Sequence, residues 1–248
     1  MLTSTSFDAA ASASEAVAFV HTSAPVAVQP ARAPMPAAFR PSRNDEALAD
    51  VLRHPGIWRR GTKPASTSTA QSTGFAALDA LLPGGGWPRG ALSEILIGED
   101  GLGECSLVLP ALAALTQARR RVALIGPPYV PYAPAMVEAG IDLSQLVHID
   151  AGATDTHWTA EQCLRAGCCG AVLNWLPRAD YQQLRRLQLA AETGAAIGFV
   201  FRPLSAASQA SPAALRLSIS ASSDGPRIDI LKCRGRLGDT STAIRLRA

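Results

Sequence analysis

Apolar and polar positions follow two different periods between residues 91 and 202, and each change of period marks a change of element. Unbroken or nearly unbroken apolar runs at Ala91–Ile97, Val122–Ile125, Leu146–Ile149, Ala171–Trp175 and Ala196–Phe201 predict strands. The last of these has the character of a strand buried on both faces. Between the runs, apolar residues recur every three or four positions. Leu107, Leu109, Leu112 and Leu115 form one such stripe, and Tyr181, Leu184, Leu187, Leu189 and Ala191 form another; both predict helices with one apolar face. Shorter helices are expected from Phe75 to Leu82, just before Ala139–Gly140, and over 159–167. Pro110 lacks the donor that a helix interior needs, so its helix must start late or carry a kink. The alternation of strand and helix predicts the α/β class, a mostly parallel sheet with helices on both faces. Further on, Leu215–Ser220, Arg227–Leu231 and Ala243–Leu246 alternate with a period of two and are expected to extend the sheet at its edge.

The segments outside this region lack the pattern. Residues 1–43 are dominated by Ala, Ser, Thr, Val and Pro, with too little large apolar surface to offset the entropy of ordering, and are expected to be a disordered tail. Residues 44–71 read as a short helix and a linker. Asn44 with Asp45 and Glu46 starts the helix, and Pro55–Gly56 ends it. Trp58 follows, placed to dock on its own domain or on a partner. The folded core is expected over 72–233, with a basic edge strand or tail over 234–248.

One loop carries candidate chemistry. The strand ending at Ile97 runs into Gly98–Glu99–Asp100–Gly101–Leu102–Gly103–Glu104–Cys105–Ser106 and then into an expected helix. Gly98 and Gly103 have the G-x-x-x-x-G spacing of a phosphate-binding P-loop, in which backbone N–H groups cradle an anion. The positions that should hold a phosphate-reaching lysine and a magnesium-binding hydroxyl hold Glu104 and Cys105. A carboxylate about 4 Å from a phosphate oxygen costs on the order of 4 kcal/mol per charge pair at an effective dielectric near 20. The loop of Gly98, Gly101, Gly103, Glu104, Cys105 and Ser106 is therefore expected to be a degenerate nucleotide loop that binds no nucleotide.

Composition narrows the function further. Aromatic residues are 5% of the chain while hydrophobic residues are 48%, so the core should be aliphatic. A formal net charge of +3 is too mild to indicate nucleic-acid binding by itself. Cysteines at 105, 163, 168, 169 and 233 include no C-x-x-C and have no histidine at ligand spacing, so neither a metal nor another cofactor is expected, and Cys163, Cys168 and Cys169 read as small core residues. The first lysine or arginine is Arg32 and no apolar run is long enough to span a bilayer, which predicts a cytoplasmic protein without a membrane anchor.

Residues 72 to about 202 resemble the core of RecA-type recombinases in the order of Ser72–Thr73–Gly74–Phe75, Leu78–Asp79, Gly85–Gly86–Trp87–Pro88–Arg89–Gly90 and the strand entering the glycine frame. The combination of Pro55–Gly56–Ile57–Trp58, Thr73–Gly74–Phe75–Ala76–Ala77–Leu78–Asp79, Leu82–Pro83–Gly84–Gly85–Gly86–Trp87–Pro88, Pro131–Tyr132–Ala133–Pro134 and Tyr181 to Leu189 is more closely similar to the ImuA family. The resemblance implies a RecA-like P-loop-type fold and a non-catalytic accessory role in damage-induced (SOS) mutagenic translesion DNA synthesis. The partners it implies are ImuB, a Y-family polymerase relative, with an error-prone replicative-type polymerase and RecA as further candidates. Against the RecA pattern, Gly126–Pro127–Pro128–Tyr129 replaces the water-activating glutamate, and Leu173–Asn174–Trp175 lacks the magnesium-binding acid. Partner or DNA contact is expected on Lys232, Arg234, Arg236, Arg245 and Arg247, with Arg185 and Arg186 as further cations. Trp175 and Tyr181, near carboxyl ends of strands, are expected in the core. The alternative functions are a modulator of RecA filaments, a SulA-type cell-division inhibitor, or a divergent ATPase.

Overall fold

The structure is a computed structural model that describes residues 70–99, 101–152, 154–223, 226–235 and 240–243. The expected tail over 1–43, the helix and Trp58 within 44–69, and Arg236, Arg245 and Arg247 lie outside the described residues.

Strands β1 (Ala70–Gln71) and β2 (Trp87–Pro88) form a small antiparallel ribbon around helix α1 (Ala76–Leu81). Asp79 holds the start of α1 in place, accepting hydrogen bonds from the Thr73 amide and hydroxyl and from the Ser72 hydroxyl. The chain then runs β3 (Ala91–Ile97), α2 (Leu109–Gln117), β4 (Arg121–Ile125), α3 (Ala133–Glu138), β5 (Leu146–Ile149), α4 (Thr156–Arg165), β6 (Cys169–Trp175), α5 (Tyr181–Gly194), β7 (Ile197–Pro203), β8 (Leu215–Ser220), β9 (Arg227–Cys233) and β10 (Thr240–Ala243). Helix α2 begins late, with Pro110 in its first turn, where the missing N–H has no partner to lose.

The large sheet has the order β10-β9-β8-β3-β7-β6-β4-β5. Strands β8, β3, β7, β6, β4 and β5 are parallel, and β9 and β10 add to one side by antiparallel pairing. Its two faces bury different sets of side chains. Ile95, Leu124, Leu173, Phe199 and Phe201 face a core with Leu107, Leu112 and Leu115. Leu92, Val172 and Val200 face a second core with Leu164, Leu184 and Leu187 from α4 and α5. Each fully buried side chain of this size contributes about 1.5–3 kcal/mol relative to exposure.

Trp87 is buried and meets Phe199 edge to face with ring centroids 5.0 Å apart, so it packs its turn against the sheet. Trp175 stacks on Phe201 at 4.8 Å and is half-buried, whereas Tyr181 is exposed, which corrects its expected place in the core. Cys169 is buried but Cys168 is exposed, so the three neighbouring cysteines do not form one core group.

The sheet is mostly parallel, as expected, but the expectation of a RecA-like P-loop-type fold is corrected. β9 and β10 join the sheet by antiparallel pairing, and the loop after β3 does not run directly into a helix. Helix α2 begins only at Leu109, and the amides of Leu107, Val108 and Leu109 already donate to the carbonyls of Gly103 and Cys105.

Candidate functional site

The glycine loop serves as a tight connection. The Gly98 amide donates to the Ile219 carbonyl at 3.3 Å, tying the end of β3 to β8. Gly101 and Gly103 have φ of +83° and +80°, a region costly for other residues, which accounts for glycine there without a ligand. Glu104 has a buried Oε2 with no hydrogen-bond partner. Although Cys105 keeps exposed surface, protein atoms crowding its thiol, and secondarily the Glu104 charge, push its pKa up to about 11. Its thiolate fraction near neutral pH is then about a hundredfold below that of an unperturbed thiol. Peptide mapping after brief iodoacetamide treatment at pH 8 should therefore find the exposed Cys168 labelled well before Cys105, and the reverse order would show an open thiol. Ser106 is half-buried in the same turn.

The basic series at the other side of the sheet is only partly brought together. Lys232 lies opposite Arg216 across the β8–β9 pairing and donates to the Ser211 carbonyl at 2.7 Å. Desolvation, then Arg234 and Arg216, lower its pKa, while Glu94 opposes the shift. Arg234 is exposed in the turn after β9, its amide donating to the Ala214 carbonyl. Arg186 pairs with Glu161 at 2.7 Å, which ties α5 to α4.

A surface that sequence reasoning did not single out as a site lies where β4 leaves the sheet. Tyr129, Val130 and Tyr132 are 70%, 86% and 72% exposed, and Val137 on α3 is 57% exposed. Proline explains why this apolar stretch does not fold inward. Pro127, Pro128, Pro131 and Pro134 punctuate it, restricting the backbone and withholding donors. Helix α3 has no fully buried residue, and its hold on the domain comes from half-buried Met136 and from buried Ile141 just beyond it. The return to β5 is pinned on α2: Gln117 Nε2 donates to the Gly140 carbonyl at 2.9 Å, and the Asp142 amide donates to the Thr116 hydroxyl at 3.1 Å. Hydrogen bonds from the Ser144 hydroxyl and amide, with Arg119 as a weaker contributor, hold the Asp142 carboxyl below its usual range.

Among the described residues, strand β5 is the last of the sheet, with Val147 and His148 exposed, so one row of its backbone donors and acceptors faces away from β4. The available signal in the sequence was the pair of tyrosines and Val130 set among prolines, a composition that neither a strand nor a helix interior would tolerate.

Among the described residues, no group of three or more His, Cys, Asp or Glu side chains is placed to hold a metal ion, and no helix is long and apolar enough to cross a membrane. The fold and this surface define an α/β protein that presents an apolar loop and helix beside an open sheet edge.

Comparison with known proteins then identifies the family. A family model described as Cell division inhibitor SulA matches residues 90–198. Cell division inhibitor SulA of Yersinia pestis (strain Pestoides F) is 30% identical over 116 residues, covering 46% of this chain and 69% of that protein. The protein of the same description from Yersinia pseudotuberculosis serotype O:1b (strain IP 31758) is likewise 30% identical, with 46% and 69% covered. Among solved structures, SulA from Pseudomonas aeruginosa is 23% identical, spans 45% of this chain and 97% of its own, and has a TM-score of 0.39. The chain belongs to the SulA family of cell division inhibitors.

These findings overturn the resemblance to ImuA and what followed from it: the role in mutagenic translesion synthesis, and ImuB, the error-prone polymerase and RecA as partners. They support instead the alternative of a SulA-type inhibitor. The family's description names an inhibitor and no reaction, in keeping with a non-enzymatic protein.

Proposed function

We propose that this chain is an inhibitor of cell division that acts by binding a protein of the division machinery, within the DNA-damage (SOS) response. The observation that carries the reading is the exposed apolar segment Tyr129–Val130–Tyr132 with Val137 beside the open edge of β5. Isolated apolar residues on a surface need no explanation, but several large ones within nine positions are the usual mark of a docking surface. Tyrosine is among the residues that most often anchor such contacts. Inhibition by contact needs no ATP hydrolysis, and a loop carrying Glu104 and Cys105 in place of lysine and a hydroxyl residue accords with that.

Expression of the chain in dividing bacteria should produce filamentous cells. Cell length measured by microscopy should return to normal with the double change Val130→Asp and Tyr132→Asp, at equal protein level, because two charges in the contact weaken it at least tenfold. Unchanged length with the unmodified chain would sink the reading, and filamentation by the double variant would move the contact elsewhere.

A further inference from the structure

Three thiols meet at the end of β4 opposite to the exposed tyrosines, and the inhibitor reading uses none of them. Cys163 lies in the last turn of α4, Cys168 just beyond it, and Cys169 opens β6, paired in register with Arg121 at the start of β4. We propose that Cys163 and Cys168 form a redox modification site, which a hydroperoxide closes to a disulfide.

The turn between them folds one onto the other. Helix α4 ends at Arg165, and Gly167 then takes a φ of +69°, the left-handed conformation that stops a helix and sends the next residue back over its last turn. That next residue is Cys168, and in such a cap it returns towards the position held by Cys163. The two are near enough to interact electrostatically: desolvation, then Cys168, raise the Cys163 pKa.

Cys168 Sγ is also 3.9 Å from Cys169 Sγ, but Cys169 is the poorer partner. It is buried in the core with Leu164 and Val172. Burial, then Cys168, push its thiol up to about 12, with Arg121 opposing the shift, so little thiolate is present to attack. A disulfide between adjacent residues would also force the peptide that joins them away from its planar trans form, at the point where β6 enters the sheet. Cys163 is half-buried and keeps open surface.

Cys168 is exposed, so an oxidant reaches it first. Its sulfur attacks the peroxide, the O–O bond breaks, and a sulfenic acid and one water (or alcohol) result. The Cys163 sulfur then attacks that of Cys168; the S–S bond forms, and the sulfenic hydroxyl leaves with the Cys163 proton as water. Two thiols lose two electrons and the peroxide gains them. Glutathione reverses the step, which makes the disulfide transient in a reducing compartment.

The test treats the reduced full chain, dilute, with equimolar hydrogen peroxide, alkylates the remaining thiols and digests with trypsin. Cleavage after Arg165 puts Cys163 and Cys168 on different peptides, so their disulfide joins 122–165 to 166–178, whereas one between Cys168 and Cys169 stays within 166–178. The joined pair should be the main product, vanish in Cys168→Ser and persist in Cys169→Ala. In Cys163→Ser a dimedone adduct should gather on Cys168, whose sulfenic acid has lost its resolving thiol. Cys168 is exposed and Cys163 half-buried, so serine at either place spares the fold. A disulfide confined to 166–178, one between two copies of the chain, or none at all would overturn the proposal, as would a joined pair that survives Cys168→Ser. None of these outcomes bears on filamentation, so the two readings stand or fall separately.

Discussion

Replacing Glu94 with alanine is expected to lower stability by about 3–5 kcal/mol, a large share of the roughly 5–15 kcal/mol available to a domain. Glu94 is fully buried in the middle of β3, with Oε1 2.8 Å from Arg202 Nη1 on β7 and Oε2 2.6 Å from Arg216 Nε on β8. Arg216 Nη2 donates in addition to the Ala206 carbonyl, and its Nη1 to those of Ala207 and Gln209. The carboxylate is thus the one negative charge between two buried guanidinium groups, and its loss leaves both uncompensated. Burying such a charged row gains little compared with an apolar core, but removing its centre is costly because the desolvation of the arginines is not recovered. Urea unfolding should show the shift for Glu94→Ala, and Glu138→Ala on the surface of α3 should remain within about 0.5 kcal/mol of the unmodified chain. Equal midpoints for both variants would mean that water already reaches the arginines.

The same row shows what a sequence can and cannot disclose. Strands β3, β5 and β8 were legible with their observed limits because apolar runs and period-two alternation report burial directly. Glu94 interrupts such a run, Arg202 follows directly on one and Arg216 takes a polar place in the alternation of β8; a charge inside a buried strand signals a partner, but its identity depends on register. Only the pairing of β3 with β7 and β8 brings together residues 108 and 122 positions apart. The glycine loop was legible as a turn, and positive φ at Gly101 and Gly103 accounts for glycine there. The exposed loop at Tyr129–Tyr132 was present as a motif but not as a surface, because exposure is set by what fails to pack on it. Helix α4 starts at Thr156 rather than Thr159, for Thr156 turns its hydroxyl onto the Ala151 and Gly152 carbonyls and buries itself, a contact that apolar periodicity does not register.

Gly194→Ala is the second change expected to be severe, and it tests the packing of α4 on α5. Alanine in the last turn of α5 gains about 1 kcal/mol of helix propensity over glycine. Against this, a Cβ at 194 would lie 1.9 Å from the Leu164 carbonyl oxygen and 3.1 Å from the Gly167 amide, both backbone atoms at the end of α4. A side chain can rotate away from a clash, but these atoms move only if the two helices separate, and the separation opens the core formed by Leu164, Leu184 and Leu187. Overpacking of a core costs about 1–3 kcal/mol where side chains can adjust, so a collision with backbone should reach the upper end, near 3 kcal/mol, and exceed the propensity gain. Gly152→Ala is the matched comparison, with nothing within 4 Å of the new Cβ, and should be close to neutral. Thermal and urea unfolding of the pair measure the difference directly. If Gly194→Ala is as stable as Gly152→Ala, the close approach of α5 to the end of α4 cannot be rigid, and the Glu161–Arg186 contact, whose arginine is 59% exposed, would be left to hold the helices at a variable distance.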